Sequence, residues 1–272
     1  MNTSAKNRWF SRWALRLSMG VVAIGNVATA ARQSAEERGL AIASEADRRV
    51  RGYHDFGAEL TMVMHGGDGK EHRRELRLQT LEVRGGGDKT LLIFDSPRDL
   101  RGTALLSHSH VDESDDQWLY LPALKRVKRV AAGNQSGSFM GSEFAYEDIG
   151  SQELEKYTYR FLREENSDGE VCFVVERRPV DSNSGYSRQV VWLDKAEYRP
   201  LRIDYFDREG RLLKSLRMRD YRLYHGRFWR PTEMVMVNHQ TERTTILMWS
   251  EFRFGVGLDD GDFDPANLAR VR

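Results

Sequence analysis

The chain has 272 residues, enough for one large β domain or two ordinary ones, and 40% of them are apolar, which suffices for a sizeable core. Forty-two Lys and Arg residues oppose 41 Asp and Glu residues, so no global field draws the protein onto nucleic acid, and a DNA-binding role has little support. A single cysteine, Cys172, excludes an internal disulfide, a Cys-rich zinc site and a Cys-x-x-Cys redox pair.

Residues 1–30 read as a secretory signal. Lys6, Arg8, Arg12 and Arg16 stand without an acid, Leu17 to Val27 form a short apolar run, and Ala28-Thr29-Ala30 supplies a small-x-small cleavage site. The run is about half of the ~20 residues that cross a bilayer. No cysteine stands at the cleavage point, which argues against a lipid-modified N-terminus. Removing those four cations leaves 38 against 41 acids. The expectation is a soluble periplasmic protein in which residues 31–272 form a single domain.

From Ser34 to Arg51, the spacing of Leu40, Ile42, Ala43, Ala46 and Val50 predicts an amphipathic helix, ended by Gly52. The period then changes to two. Ala58, Leu60, Met62 and Met64 alternate with polar neighbours, a Gly-rich turn follows at 66–69, and Arg74, Leu76, Leu78 and Thr80 return, predicting a β-hairpin. Similar turns at 85–88, 166–169 and 208–210 separate further alternating runs, so a meander of roughly ten or eleven strands is expected. There is no β-α-β alternation, which disfavours a nucleotide-binding parallel sheet. Residues 131–153 break the pattern in mid-chain, and a short helix is expected over Pro265–Val271.

Several strands carry long flexible or aromatic side chains in alternation: Met62, Met64, Trp118, Tyr120, Trp192, Met234, Met236, Met248 and Trp249. They read either as ordinary core or as the walls of a curved sheet whose concave face is only partly filled, since methionine adapts to irregular apolar ligands. In the second reading the 34–51 helix lies across the mouth and the sheet encloses an acyl chain. Leu40, Ile42, Leu60, Met62, Met64, Trp118, Tyr120, Trp192, Met234 and Met236 are the candidate lining.

The segment 116–130, DQWLYLPALKRVKRV, followed at 137–148 by GSFMGSEFAYED, closely resembles the bacterial outer membrane lipoprotein-sorting proteins, periplasmic relatives of the LolA carrier and the LolB receptor. The resemblance spans nearly all of the chain after residue 30, including FDSP at 94–97, RGTALL at 101–106 and VMVNHQT at 235–241. It implies a mainly β (α+β) fold, an unclosed antiparallel barrel with a helical lid over a hydrophobic cavity. It implies as partners a lipid or lipoprotein cargo and a transporter of the resistance-nodulation-division (RND) superfamily, with no cofactor and no catalytic residues. The Trp-Leu-Tyr-Leu-Pro motif belongs to this branch and not to the LolA carrier, so cargo contacts are not carried over from it.

Catalytic constellations are weak by comparison. His108 and His110, two apart and followed by Asp112, Glu113, Asp115 and Asp116, could ligate zinc, but a solvated polar turn explains them better. No serine stands in a Gly-x-Ser-x-Gly elbow, and no Gly-Lys-Ser/Thr follows the glycine clusters. Lys125, Arg126, Lys128 and Arg129 form the densest basic run after residue 30, beside a loop holding Phe139 and Phe144. The loop is either tucked back over the sheet or offered to a partner, and the run reads either as a charged edge strand that discourages aggregation or, with those aromatics, as a docking surface for a transporter or an anionic membrane surface. Two functions therefore remain, a lipid carrier and a non-carrier accessory subunit of a transporter.

Overall fold

A computed structural model describes residues 33–66, 69–85, 87–111 and 113–271. The expected signal segment lies outside the described residues.

The helix forms where the spacing places it, as α1 (Ala35–Val50). Ser34 caps it: its Oγ accepts from the Glu37 N–H at 3.1 Å, while the Glu37 carboxylate accepts from the Ser34 N–H at 2.8 Å, so two otherwise unpaired donors are satisfied reciprocally. Two residues beyond its last turn, Gly52 takes φ +87°, where L side chains are strained, and redirects the chain.

Every strand that follows is antiparallel to its neighbours. They are β1 (Asp55–His65), β2 (Glu71–Leu81), β3 (Lys89–Ser96), β4 (Ala104–His108), β5 (Asp116–Leu121), β6 (Arg126–Val130) and β7 (Tyr157–Ser167). The second half supplies β8 (Glu170–Pro179), β9 (Arg188–Asp194), β10 (Pro200–Phe206), β11 (Leu212–Tyr224), β12 (Phe228–Asn238) and β13 (Thr244–Phe254). They build one sheet of 13 strands in the order β6-β5-β4-β3-β2-β1-β13-β12-β11-β10-β9-β8-β7. The count exceeds the expected ten or eleven because β4, β5 and β6 have only five or six residues each, too few for alternation to stand out. The predicted hairpin is β1–β2, with Met62 opposite Arg74 and Leu60 opposite Leu76. At the β7–β8 turn, Asp168 and Gly169 take φ +53° and +88°, the two left-handed positions of a tight hairpin.

The chain runs outward from β1 to one edge, β6, crosses to the other edge, β7, and returns inward to β13, which pairs with β1. The barrel is therefore unclosed, with β6 and β7 as its free edges. The crossing is the segment that breaks the strand pattern. Residues 131–156 contain only short 3-10 turns and one bridge, Ser138 with Ala145.

Consecutive residues of the central strands enter different clusters, as a pleated sheet requires. Leu92, Phe94, Leu105, Phe173, Val175, Val191 and Leu193 belong to the concave core. Their neighbours Leu91, Ile93, Ala104 and Leu106 pack on the convex face under Phe263 and Leu268 of the C-terminal 3-10 segments (Asp260–Phe263 and Pro265–Arg270). The short C-terminal helix expected from the sequence is the second of these. In the other half, Cys172, Val174, Val190 and Trp192 form a second convex cluster, covered by arginine stems: Arg202 lies 4.6 Å from the Trp192 ring and Arg188 3.4 Å from Phe206.

Two expectations about the cavity wall are thereby corrected. Trp118 and Tyr120 pack in the convex cluster with Phe263 and Leu268, and Trp192 in the cluster with Cys172. In β5 the concave position belongs to Leu119. Of the helix residues, Ile42 is buried in the concave core but Leu40 is 48% exposed. Leu60, Met62, Met64, Met234 and Met236 do lie on the concave side.

Candidate binding cavity

α1 packs chiefly on β7, with further contacts to β8 and β12, over the β7–β12 part of the concave face. Its closest approach is at Gly39, where an added Cβ would stand 2.7 Å from the Phe161 nitrogen and 2.8 Å from Arg160 backbone atoms. Arg38 stacks 3.7 Å over the Phe161 ring and pairs with Glu164. At the other end Arg51 reaches Glu153, whose other oxygen accepts from the Asp88 N–H. Burial pushes the Glu153 carboxyl upward, but the Arg51 guanidinium and the neighbouring donors outweigh it and hold the group below its ordinary range.

The crossing segment covers the other part of the concave face. Phe139 is fully buried against Phe94 and Tyr146, with ring centroids 5.8 and 5.4 Å away, and Phe144 is 4% exposed. The expectation that these two phenylalanines belong to an exposed docking loop is corrected: they plug the barrel. Fully burying rings of this size contributes roughly 1.5–3 kcal/mol each, more than an exposed loop position returns.

The plug is also held by polar contacts. Arg74 donates to the Met140 carbonyl at 2.7 Å and Asn238 to the Glu143 carboxylate at 2.7 Å. Lys214 and Asp148, 4% and 6% exposed, pair at 2.7 Å. Lys214 also donates to the Glu143 carbonyl and Tyr186 to Asp148, so the desolvated charges keep their partners. Burial, reinforced by Asp148, raises the Glu147 carboxyl, and hydrogen bonds from Ser184 and the Gly185 N–H offset part of that rise.

Between plug, helix and sheet lies a cavity of about 350 Å³. Its apolar wall comes from β8–β12 through Val175, Val191, Leu193, Ile203, Leu216, Met218 and Met234, and its roof from Ala43, Ala46 and Val50 of α1, with Phe144 at one side. Of the residues singled out as lining from the sequence, Met234 reaches this space; Leu60, Met62, Met64 and Met236 are packed in solid core beside it. The missed wall residues are branched aliphatics whose alternation was legible in the strands, but nothing in the sequence says which stretch of concave face the plug leaves open.

The other singled-out groups are placed as follows. Arg126, Lys128 and Arg129 are exposed on edge strand β6, and Lys125 precedes it with φ +49°. Arg129 pairs with Asp116. His108 Nε2 lies 2.8 Å from the Phe263 carbonyl and His110 Nε2 3.1 Å from Asp116, so the two imidazoles serve different partners. Among the described residues no group of three or more His, Cys, Asp or Glu could hold a metal ion. Cys172 is buried, and burial with Asp194 nearby pushes its thiol up to about 11, far from a reactive thiolate. Among the described residues no helix is long and apolar enough to cross a membrane.

The fold is thus an unclosed antiparallel barrel with a helical lid, a plug and an apolar space beside them. A protein-family model described as "-like: Uncharacterized protein" matches residues 86–270. An outer membrane lipoprotein-sorting protein domain from Vibrio parahaemolyticus is 51% identical, over 86% of this chain and 100% of that one, with a TM-score of 0.85. A DUF1329 family protein from Desulfovibrio piger is 32% identical over 86% and 99%, with a TM-score of 0.82. A LolA superfamily protein from Nitrosomonas europaea, 21% identical over 83% and 97% with a TM-score of 0.69, shares the fold. Among curated proteins nothing matches. The chain belongs to the outer membrane lipoprotein-sorting family, LolA-like in fold.

Proposed function

We propose that the protein is a periplasmic carrier that shields the acyl part of a lipid or lipoprotein cargo, without catalysis. The observation that carries this reading is the apolar cavity of about 350 Å³ under α1. Ligand sites are clefts of this order of size, about 300–1,000 Å³, lined mostly by apolar side chains. Three of the pairs that hold the lid, Arg38–Glu164, Arg49–Glu197 and Arg160–Glu36, leave a third or more of each side chain exposed and are each worth no more than about 1 kcal/mol, while its C-terminal end is anchored by Arg51 on the buried Glu153.

Filling the cavity tests this directly. Ala43 faces the space from the lid, so Ala43→Trp should occupy it and abolish displacement of a fluorescent fatty acid while the melting temperature stays within a few degrees. Unchanged binding in a folded variant would sink the carrier reading.

In this reading the cargo passes to or from a membrane partner, an RND-superfamily transporter, and edge strand β6 is the contact. An exposed strand edge carrying Arg126, Lys128 and Arg129 combines unpaired backbone groups with positive charge. Changing these three to Gln should slow association with anionic vesicles or with the transporter and flatten its salt dependence, at unchanged stability. Parental binding by the triple variant would reduce β6 to a solvated edge. Export itself predicts an N-terminus at Ala31, readable by N-terminal sequencing.

A further inference from the structure

The cavity under α1 adjoins two other spaces of opposite charge, and their placement orients what it holds. Beyond the C-terminal turn of the helix lies a recess of about 220 Å³ that shares Ala46, Val50, Tyr198 and Pro200 with the cavity wall. Its charged lining is Arg48, Arg49, Arg199 and Arg227 against Glu197 alone. At the opposite end, where Gln152 is the shared residue, a groove of about 350 Å³ is lined by Glu113, Asp115, Glu147 and Asp181 against Lys156. The cavity, whose own charged lining is Asp47, Asp148 and Arg177, thus adjoins a recess with four guanidinium groups against one carboxylate and a groove with four carboxylates against one ammonium.

The arginines are not all consumed by internal pairing. Arg199 is tied to Asp194 and Arg49 to Glu45 and Glu197. Arg227 donates to the Arg51 carbonyl at 2.9 Å, and no carboxylate lies within 4.0 Å of it among the described residues. Arg48 donates to both oxygens of Glu45 at 2.8 Å, but 69% of its side chain stays exposed. A guanidinium bonded only to a neutral carbonyl keeps its charge and most of its N–H fork for an incoming oxyanion.

We propose that the cargo is a single-chain amphiphile with an oxyanion head, phosphate or carboxylate, lying with its chain under α1 and its head beside Arg227 and Arg48. This rests on the carrier reading and adds to it the head chemistry and the direction in which the cargo lies. The size fits one chain: 350 Å³ accommodates roughly a dozen carbon-sized units at the ~30 Å³ a water molecule takes. The acidic groove disfavours the reverse orientation, because a head placed there would face a surplus of carboxylates.

The test is displacement of a fluorescent alkyl probe with an uncharged head from the purified protein by four amphiphiles of equal chain: dodecyl phosphate, dodecanoate, neutral dodecyl glucoside and cationic dodecyltrimethylammonium. The two anions should displace at least about tenfold better at low salt, the scale of one charge-assisted hydrogen bond. The double variant Arg48→Gln/Arg227→Gln should remove that advantage and leave the neutral compound unaffected, which also shows that the variant is folded. Lys156→Gln, in the opposite groove, should change none of the four. A phosphate advantage over carboxylate, or the reverse, identifies the head. If the neutral or cationic compound competes as well as the anions, or the double variant binds anions as the parent does, the head assignment falls while the carrier reading stands. If no chain binds whatever its head, both fall.

Discussion

Gly39 shows how much one residue decides. It is the point where α1 touches β7, and backbone, not a flexible side chain, lies 2.7–2.8 Å from where its Cβ would be. In an isolated helix, Gly→Ala stabilises by about 1 kcal/mol. Here overpacking against rigid backbone costs typically 1–3 kcal/mol, so Gly39→Ala should lower the melting temperature, whereas Ala35→Gly in the first turn costs only propensity. A raised melting temperature would mean that the lid does not seat as described. Gly39 could not be singled out from the sequence, where it is one glycine in a polar stretch of helix; its role comes from residues more than a hundred positions away. The capping pair Ser34 and Glu37 is the opposite case, because its three-residue spacing carries its own geometry.

Among elements, strands and helix were legible because each has a period, and the crossing segment 131–156 was not because it has none. Its glycines and serines mark a loop, while Phe139, Phe144 and Tyr146 suit either an exposed or a buried one. The structure buries Phe139 completely, and the physical reason is topological: the two free edges of an unclosed barrel are joined across its concave mouth, so the connection is pressed against apolar strands. Phe139→Ala should therefore behave as a core truncation, destabilising by ~3–5 kcal/mol in denaturant titration. A cost under about 1 kcal/mol would restore the exposed-loop reading. The same plug explains why Met62 and Met236 became solid core while Met234, farther along the concave face, lines open space.

For the whole molecule, the apolar parts of both faces must be covered, and the convex cluster of β3–β5 is covered by the end of the chain. Phe263 and Leu268, 0% and 1% exposed, lie over Leu91, Ile93, Leu106 and Trp118. Removing residues 259–272 should cost ~3–6 kcal/mol for these two side chains alone and uncover an apolar patch that drives association, visible as aggregation by light scattering; a monomeric truncation of parental stability would contradict this packing. The sequence by itself determined what is local and periodic: the amphipathic helix ended by Gly52, the hairpins at glycine-rich turns, the antiparallel meander, and the family likeness carried by residues 116–148. Tertiary structure alone decided which phase of each strand faces inward. Alternation defines two faces without labelling them, and in β3, β4, β5, β8 and β9 both faces carry apolar residues, so Trp118, Tyr120 and Trp192 were as plausible inside as Leu119 and Val191. Only the placement of the C-terminal segments, the plug and the lid breaks that symmetry, because each covers one face and leaves a single stretch of the other unfilled.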